Sequence, residues 1–291
     1  MKKYALYLGC VIPARNPNYE ISNRKVADFF GVELEYLDDF SCCGFPVRNI
    51  DTKTALLMAA RNLCLAEEKN LDLCVLCSGC SAVLTEANRE LKENRELKEE
   101  VNEKLAEIGH EFKGTVEVKH FARILYEDVG VEKIKESIRK PLDKLKVATH
   151  YGCHYLKPSY AYEKFDDPEN PKTLDELVEA TGAHSLVYKG RNSCCGNTII
   201  GIDRNVSLGL GKKELDHVKA SGVDAMVLIC PACSIQFDLY QRMIESTFNE
   251  SYHIPVLYLD QLLGLALGIE SEELALDLNR VKTDELLAKI E

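Results

Sequence analysis

The sequence predicts an α/β protein made of two pseudo-symmetric repeated domains. Each is a small, mostly parallel sheet with flanking helices and a cysteine cluster at the carboxyl ends of its strands. Three observations predict it. Short apolar strands alternate with amphipathic segments through the 291 residues; four consecutive blocks of the first half recur in order in the second; and ten of the twelve cysteines fall at equivalent positions of the two copies.

In chain order, strands are expected at 4–9, 32–37, 73–76 and 116–119, and again at 146–151, 184–188, 225–229 and 255–258. Helices are expected at 22–30, 52–69, 81–108 and 119–127, then at 173–181, 205–221, 233–248 and 259–268. In the long third helix, Leu84, Ala87, Leu91, Leu97, Val101, Leu105 and Ile108 recur at spacings of three, four or six among Glu and Lys. That is an amphipathic stripe suited to packing on its own domain. The domains are taken as 1–140 and 141–291, meeting in the stretch 130–146 around Pro141.

The repeat is explicit. Tyr4–Cys10 answers Val147–Cys153, Ser41-Cys42-Cys43-Gly44 answers Ser193-Cys194-Cys195-Gly196, Leu73–Cys80 answers Met226–Cys233, and Val118–Leu125 answers Leu257–Leu263. The separation is 143 residues at the first cysteine, 152 at the adjacent pair and 153 at the last motif. One insertion of nine residues between Cys153 and Cys194 accounts for nearly all of the drift. The stretch 157–172, rich in Pro, Asp, Asn and Tyr, reads as the loop that carries it.

Composition narrows the class. Hydrophobic residues at 46% and charged residues at 29% are a globular profile. A net charge of −11 argues against a nucleic-acid backbone as partner. No apolar run approaches the ~18 residues of a membrane span. The start, Met1-Lys2-Lys3 before an apolar Tyr4–Cys10, imitates a leader, but its apolar stretch is too short. Residues 4–10 are read as a buried strand and the protein as cytoplasmic. In a reducing compartment, twelve cysteines point to metal or redox chemistry rather than to a disulfide framework.

The spacing is C-x31-CC-x33-CxxC in the first half and C-x40-CC-x34-CxxC in the second. The candidate ligands are therefore Cys10, Cys42, Cys43, Cys77 and Cys80, and Cys153, Cys194, Cys195, Cys230 and Cys233. Cys64 and Cys74 have no counterpart; Cys64 reads as a small hydrophobe in an apolar helix, and Cys74 as a buried residue near the site. Structural zinc uses four ligands, not five. A cubane iron–sulfur cluster also uses four. An adjacent Cys-Cys pair suits different irons of one extended cluster, and Gly44 and Gly196 allow a tight turn beside it. Two cubanes with a spare cysteine each, or two larger non-cubane clusters, both satisfy the count.

This doubled pattern resembles the cysteine-rich CCG domain, and a chain with two complete copies is similar to the B-subunit family of heterodisulfide reductases. The likeness runs from Cys10 to Cys233 and into the last repeat block near residue 268. The resemblance implies two non-cubane 4Fe-4S clusters, each held by five cysteines, facing one another across the domain interface. It implies a disulfide reductase acting on the mixed disulfide of coenzyme M and coenzyme B in methanogenesis. It also implies partners: an iron–sulfur protein, the C component of the complex, relaying electrons from a flavin-containing A component, with a hydrogenase or formate dehydrogenase upstream.

Disulfide cleavage takes two electrons, which two facing clusters would supply one each, and the released thiolates need protons. His154, directly after Cys153, is the candidate catalytic donor, with Tyr151, Tyr155 and His150 nearby; the alternative is a histidine hydrogen-bonded to cluster sulfur or backbone. For the anionic ends of such a substrate, Arg48, Lys157 and Arg191 are candidate contacts, with Arg15 and Lys189 as further cations. Gly209-Leu210-Gly211 is a poor dinucleotide fingerprint. A competing function is an electron-transfer component of a succinate-, lactate- or glycolate-type oxidoreductase passing electrons to a quinone. A thiol-rich scaffold protein is the non-enzymatic alternative.

Overall fold

The computed structural model describes residues 2–163 and 165–290. Met1, at the head of the leader-like start, Lys164, within the expected 157–172 loop, and Glu291 lie outside the described residues.

The first half runs β1 (Lys3–Tyr7), α1 (Ile12–Arg15), α2 (Pro17–Phe30), β2 (Glu33–Tyr36), α3 (Thr52–Glu68), β3 (Asp72–Val75), α4 (Ser78–Glu93), α5 (Arg95–Ala106), β4 (Val118–His120), α6 (Phe121–Ile124) and α7 (Val131–Ser137). The second runs β5 (Lys146–His150), α8 (Thr173–Glu179), β6 (His184–Leu186), α9 (Arg204–Ala220), β7 (Ala225–Leu228), α10 (Pro231–Ser234), α11 (Gln241–Phe248), β8 (Val256–Tyr258), α12 (Leu259–Ala266) and α13 (Asp284–Ile290). The sheets have the orders β2-β1-β3-β4 and β6-β5-β7-β8, and every pairing is parallel. The centre strands β1, β3, β5 and β7 are buried almost throughout, as a parallel sheet covered on both faces requires.

The elements differ from expectation where local chemistry interrupts a period. The helix expected at 81–108 is two helices, because Asn94 ends α4 and caps α5, its Oδ1 accepting the Leu97 N–H at 3.1 Å. Its stripe does pack on its own half: Leu84, Ala87, Leu91, Val101 and Leu105 are buried, while Ile108 is exposed. The helix expected at 119–127 is one α-turn followed by a π-helical stretch at Leu125–Gly130. The one expected at 233–248 starts at Pro231, passes through a π-helical Ile235–Leu239 and restarts after Tyr240. Helix α2 starts at Pro17, five residues earlier than its apolar period suggests, since proline is at home in a first turn. Beyond residue 268, where the apolar period predicts no element, α13 buries Leu286 and Ile290.

The two halves pack through α2 against α12. Tyr19 and Tyr258 stack at 3.8 Å, and Tyr19 Oη donates to the Ile229 carbonyl at 2.9 Å. Asn16 Nδ2 donates to Tyr258 Oη at 2.8 Å and Asn23 Nδ2 to Asp260 Oδ2 at 3.2 Å. Burial of one such aromatic contributes roughly 1.5–3 kcal/mol, against about 1 kcal/mol for a net hydrogen bond. Apolar burial therefore holds the halves together, and the buried amides set their register.

Candidate metal centre

Strand order dictates where the sulfurs go. Connections leave the neighbours β1 and β3 towards opposite sides, which opens a crevice at their carboxyl ends. Cys10 lies in the turn beyond β1 and Cys77 just beyond β3; Cys153 and Cys230 stand likewise beyond β5 and β7. Cys77 and Cys230 are the N-caps of α4 and α10, which sets the second cysteine of each CxxC, Cys80 or Cys233, in the first turn of the helix. Gly9 and Gly152, at φ +67° and +69°, leave room for that second cysteine. A Cβ there would stand 3.0 Å from Cys80 Sγ or 3.4 Å from Cys233 Sγ.

The adjacent pairs sit in the loops before α3 and α9. In the second of them Cys194 accepts the Gly196 N–H at 3.4 Å. Gly44 and Gly196 are needed for turn and packing together: at φ +92° and +84°, a Cβ would stand 2.7 Å from the Ala55 carbonyl or 2.9 Å from that of Ser207.

The sulfurs form a run that crosses the molecule. Cys42 neighbours Cys43, which approaches Cys80 at 3.4 Å; Cys80 neighbours Cys77, and Cys77 neighbours Cys230 of the other half. The run continues through Cys233, Cys195 and Cys194 to Cys153. Cys10, exposed, stands near Cys42. Hydrogen bonds from Cys42 and Cys80 pull Cys43 down to about 4, and those from Cys153 and Cys195 pull Cys194 down to about 2, whereas the same contacts push their partners up. So many buried thiols in contact cannot all ionise unless cations sit among them. Among the described residues, no three His, Cys, Asp or Glu close on a point as for a single metal ion. Cys64 and Cys74, buried in α3 and β3, take no part in the run; burial pushes Cys64 up to about 12 and Cys74 up as well.

A cleft of about 890 Å³ opens onto one end of this run. One wall is the first half's cysteine-pair loop, with Phe45, Arg48 and Asn49; the other is the second half's, with Thr198, Ile199 and Ile202; Cys153, His154 and Lys157 complete it. His154 Nδ1 lies 3.0 Å from Cys153 Sγ, and Phe45 packs edge-to-face on the imidazole at 5.1 Å. Burial lowers the His154 pKa, partly offset by Cys230 and Cys194. Of the candidate cations, Arg48 and Lys157 reach the cleft. Arg48 is paired with Glu86 at 2.7 Å and Lys157 with Glu169 at 3.0 Å. Arg191 does not reach it: its buried guanidinium is spent on Asp175 at 2.8 Å and on Asn170 and the Pro171 carbonyl at 3.0 Å. Arg15 lines a separate cavity with Arg242 and Arg280, and Lys189 lies outside the cleft. Tyr151 and Tyr155 are buried away from the cleft, and His150 Nδ1 is 2.6 Å from Tyr188 Oη.

Two side chains near the sulfurs carried no signal in the sequence. His120, at the end of β4, donates through Nε2 to the carbonyls of Leu76 and Ile229, at 3.1 and 3.2 Å, the residues before Cys77 and Cys230. It ties the two CxxC strand ends together, and burial lowers its pKa to about 4. Glu214, in the middle of α9, is buried beside the Ser193-Cys194 segment. Both lie far along the chain from the cysteines they adjoin, and only an expectation about which helix faces which loop could have found them.

The family model for the cysteine-rich CCG domain matches residues 4–85 and 147–238. Over its whole length the chain is 42% identical to the B subunit of the ferredoxin:CoB-CoM heterodisulfide reductase of Methanosarcina mazei, covering 97% of that protein. It is 39% identical, over 94% of both chains, to a protein of Archaeoglobus profundus that is itself described as like the B subunit of heterodisulfide reductase. It is also 33% identical, over 98% of this chain and 99% of the other, to the 8-methylmenaquinol:fumarate reductase membrane anchor subunit of Wolinella succinogenes. Among solved structures, a hypothetical protein from Helicobacter pylori superposes with a TM-score of 0.79 over 97% of this chain and 52% of that one, at 16% identity, and shows the same fold. Among the described residues no helix is long and apolar enough to cross a membrane.

Proposed function

The chain belongs to the cysteine-rich CCG domain family, in the two-domain group that includes the B subunits of heterodisulfide reductases, and on that premise we propose that it is the disulfide-cleaving component of such a reductase, reducing the mixed disulfide of coenzyme M and coenzyme B to two thiols. The observation that carries this is the cleft between the two cysteine-pair loops, which opens onto a sulfur run that crosses from Cys77 to Cys230. A disulfide lodged there would meet both halves of the molecule.

Cys10, Cys42, Cys43, Cys77 and Cys80 would hold one iron–sulfur cluster, and Cys153, Cys194, Cys195, Cys230 and Cys233 the other. Five cysteines in each half, one more than a structural zinc site takes, fit a multi-iron group better than zinc. When bound, two non-cubane 4Fe-4S clusters would supply the two electrons, one each. The chain's own residues would then position and protonate. Arg48 and Lys157, each already paired with a carboxylate, offer exchangeable sites for the anionic ends of the substrate, while Ile199 and Ile202 receive its aliphatic chain. His154 would pass a proton from the cleft to a leaving thiolate. Burial keeps its imidazole mostly neutral above pH 6.5, so this transfer would be favoured on the acid side. Electrons would come from the iron–sulfur C component and the flavin-containing A component of the complex, with a hydrogenase or formate dehydrogenase upstream, and the assembly would work in the cytoplasm.

The test is an EPR titration of the anaerobically prepared, oxidised protein with coenzyme M and coenzyme B separately. A paramagnetic iron–sulfur signal that grows with one thiol and is discharged by the other supports the assignment. The relative named for menaquinol and fumarate favours a second reading, an electron-transfer component coupled to a quinone. Intact clusters indifferent to both thiols would select it.

A further inference from the structure

The two halves present equivalent surfaces beside their CxxC helices, and among the described residues the chain covers only one of them. In the first half, Arg89 of α4 lies under the loop that the second half inserts. Its guanidinium donates to the Tyr160 carbonyl and stands 5.9 Å from the Tyr160 ring, whose hydroxyl donates to Glu86 at 2.5 Å. At the offset of 153 set by the CxxC motifs, Glu86 and Arg89 correspond to Leu239 and Arg242. The nine extra residues occur only after Cys153, so the first half has no such loop to lay over them.

Leu239 and Arg242 instead line a cavity of about 490 Å³ between the halves, with Arg15 of α1 and with Arg280 and Lys282 of the segment before α13. All four cations are exposed, and none forms an ion pair among the described residues. Two carboxylates share the lining, Asp277 and Asp238, and that of Asp238 is spent on the Arg280 and Val281 N–H groups, each at 2.8 Å. Beyond Lys282 the surface turns acidic with Asp284 and Glu285, which bounds the patch. A chain of net charge −11 thus gathers four unpaired cations in one place, and their field attracts an acidic body. The buried amides of the lining are already used: Asn18 donates to Asn279 at 2.9 Å, and Asn279 to the Val256 carbonyl at 2.8 Å. A small anion would be fixed by a few buried polar groups, whereas exposed cations around the apolar Leu278, 44% exposed, suit a broad acidic protein surface.

This cavity adjoins one end of the sulfur run and shares no residue with the cleft at the other. Arg15 ends the single turn of α1, which starts two residues after Cys10, the exposed sulfur of the first half. Each disulfide cleaved takes two electrons, which must be replaced from outside. We infer that the surface formed by Arg15, Arg242, Arg280 and Lys282 docks an acidic one-electron carrier protein, so that electrons enter at the first half, beside Cys10. This docking rests on the reading of the cysteines as ligands of two redox clusters. Each encounter oxidises the reduced carrier by one electron and reduces the first half by one, with no bond formed or broken. Two encounters replace what one disulfide takes, and the first half passes one of the two electrons along the sulfur run to the second.

The test is anaerobic stopped-flow reduction of the holoprotein by flavodoxin hydroquinone, a small acidic one-electron carrier, and separately by reduced methyl viologen, a small cationic one. With flavodoxin the wild-type rate should fall as salt rises from about 0.05 to about 0.5 M. Arg242→Glu/Arg280→Glu should lower it by about tenfold or more at low salt and remove the salt dependence, without lowering the viologen rate. Arg242→Gln/Arg280→Gln should give a smaller fall and keeps the test open should the first variant misfold. Arg95→Glu/Lys104→Glu, the same change of net charge on α5, should leave the flavodoxin rate within about twofold of wild type. Flavodoxin should reduce the surviving half of Cys43→Ser at least about tenfold more slowly than the surviving half of Cys195→Ser. A flavodoxin rate untouched by the Arg242 and Arg280 changes, an equal fall in the α5 variant, or reduction by viologen alone overturns the docking and leaves the functional reading standing. Inorganic phosphate bound by wild type and lost in the double variant, with the flavodoxin rate unchanged, would make the cavity a small-anion site and also overturn it. Absence of any iron–sulfur signal in every protein overturns both.

Discussion

The two halves of this molecule repeat their scaffold more faithfully than their chemistry. The cysteine-pair loops make the same backbone bonds: Val47 to the Gly44 carbonyl and Asp51 to that of Val47 in the first, Ile199 to Gly196 and Asp203 to Ile199 in the second, all between 2.9 and 3.0 Å. The differences of kind lie in side chains that face the cleft or the sulfurs. Phe45 stands where the second half has Asn197, Arg48 where it has Ile200, Val11 where it has His154, and Asn62 where it has Glu214. A pseudo-symmetric frame thus holds an unsymmetric site, as an unsymmetric disulfide would require. The first half's loop brings Arg48 to the cleft, and the second half brings Ile199 and Ile202 from its loop together with His154 and Lys157.

The comparison breaks most sharply at the cysteines. Cys43→Ser and Cys195→Ser are equivalent changes, so each should remove about half of the bound iron and leave the other half's EPR signal in place. Either one should abolish disulfide cleavage, by ~100-fold or more, if both halves must deliver an electron. Full activity in one variant would mean that a single half suffices. Replacing His154 by its counterpart, valine, should lower the rate by about 100-fold. The sign with pH follows from its lowered pKa: the imidazolium fraction falls as pH rises, so the wild-type rate should decline through and above that pKa, whereas His154→Val should show no such limb. An unchanged pH profile would reduce His154 to a hydrogen-bond partner of Cys153.

How far the sequence reveals this depends on whether a feature is local. The doubled parallel sheets were legible because strand period, strand-end cysteines and the repeat all point one way. The breaks in the long helices were not, because Asn94 and Tyr240 interrupt patterns that continue in phase on either side. Of the candidate site residues, the cysteines announce themselves by spacing and His154 by standing next to one. Arg191 sits between two motifs and yet turns inward to Asp175, a choice made by a helix that its own neighbourhood does not encode. His120 and Glu214 were invisible for the same reason, since their partners are distant in the chain.

The next difference is between strand ends. In the register of the two sheets His120 corresponds to Tyr258, and of the two only His120 can gain a charge in mild acid. Its folded pKa is about 4 against 6.5 unfolded, lowered by burial. The unfolded chain therefore binds a proton in a window where the folded one does not. Stability from this group is fully present above pH 6.5 and is lost as pH falls from 6.5 to 4, by about 3 kcal/mol. Urea denaturation at pH 7 and pH 4.5 should show that loss in wild type. His120→Gln, which cannot titrate, should remove this contribution to the difference. An equal loss in both proteins would assign the acid sensitivity elsewhere.

The smallest effect expected separates the two walls of the cleft. Arg48→Ile gives the first loop the residue at the equivalent position of the second, Ile200, and leaves Glu86 with the phenol of Tyr160, which donates to it at 2.5 Å. An exposed, carboxylate-paired arginine contributes little to folding, so stability should change by less than about 1 kcal/mol. Binding of an anionic arm should suffer more, because the guanidinium is the group that can exchange Glu86 for the substrate. The expected result is a rise of about tenfold in apparent KM for the mixed disulfide with kcat nearly unchanged, the mark of lost uniform binding. A shortened substrate lacking the anionic group should be turned over equally well by both proteins. If Arg48→Ile instead lowers kcat and leaves KM alone, the arginine acts on the reacting sulfurs and not on the arm, and the division of the cleft into a charged and an apolar wall fails with it.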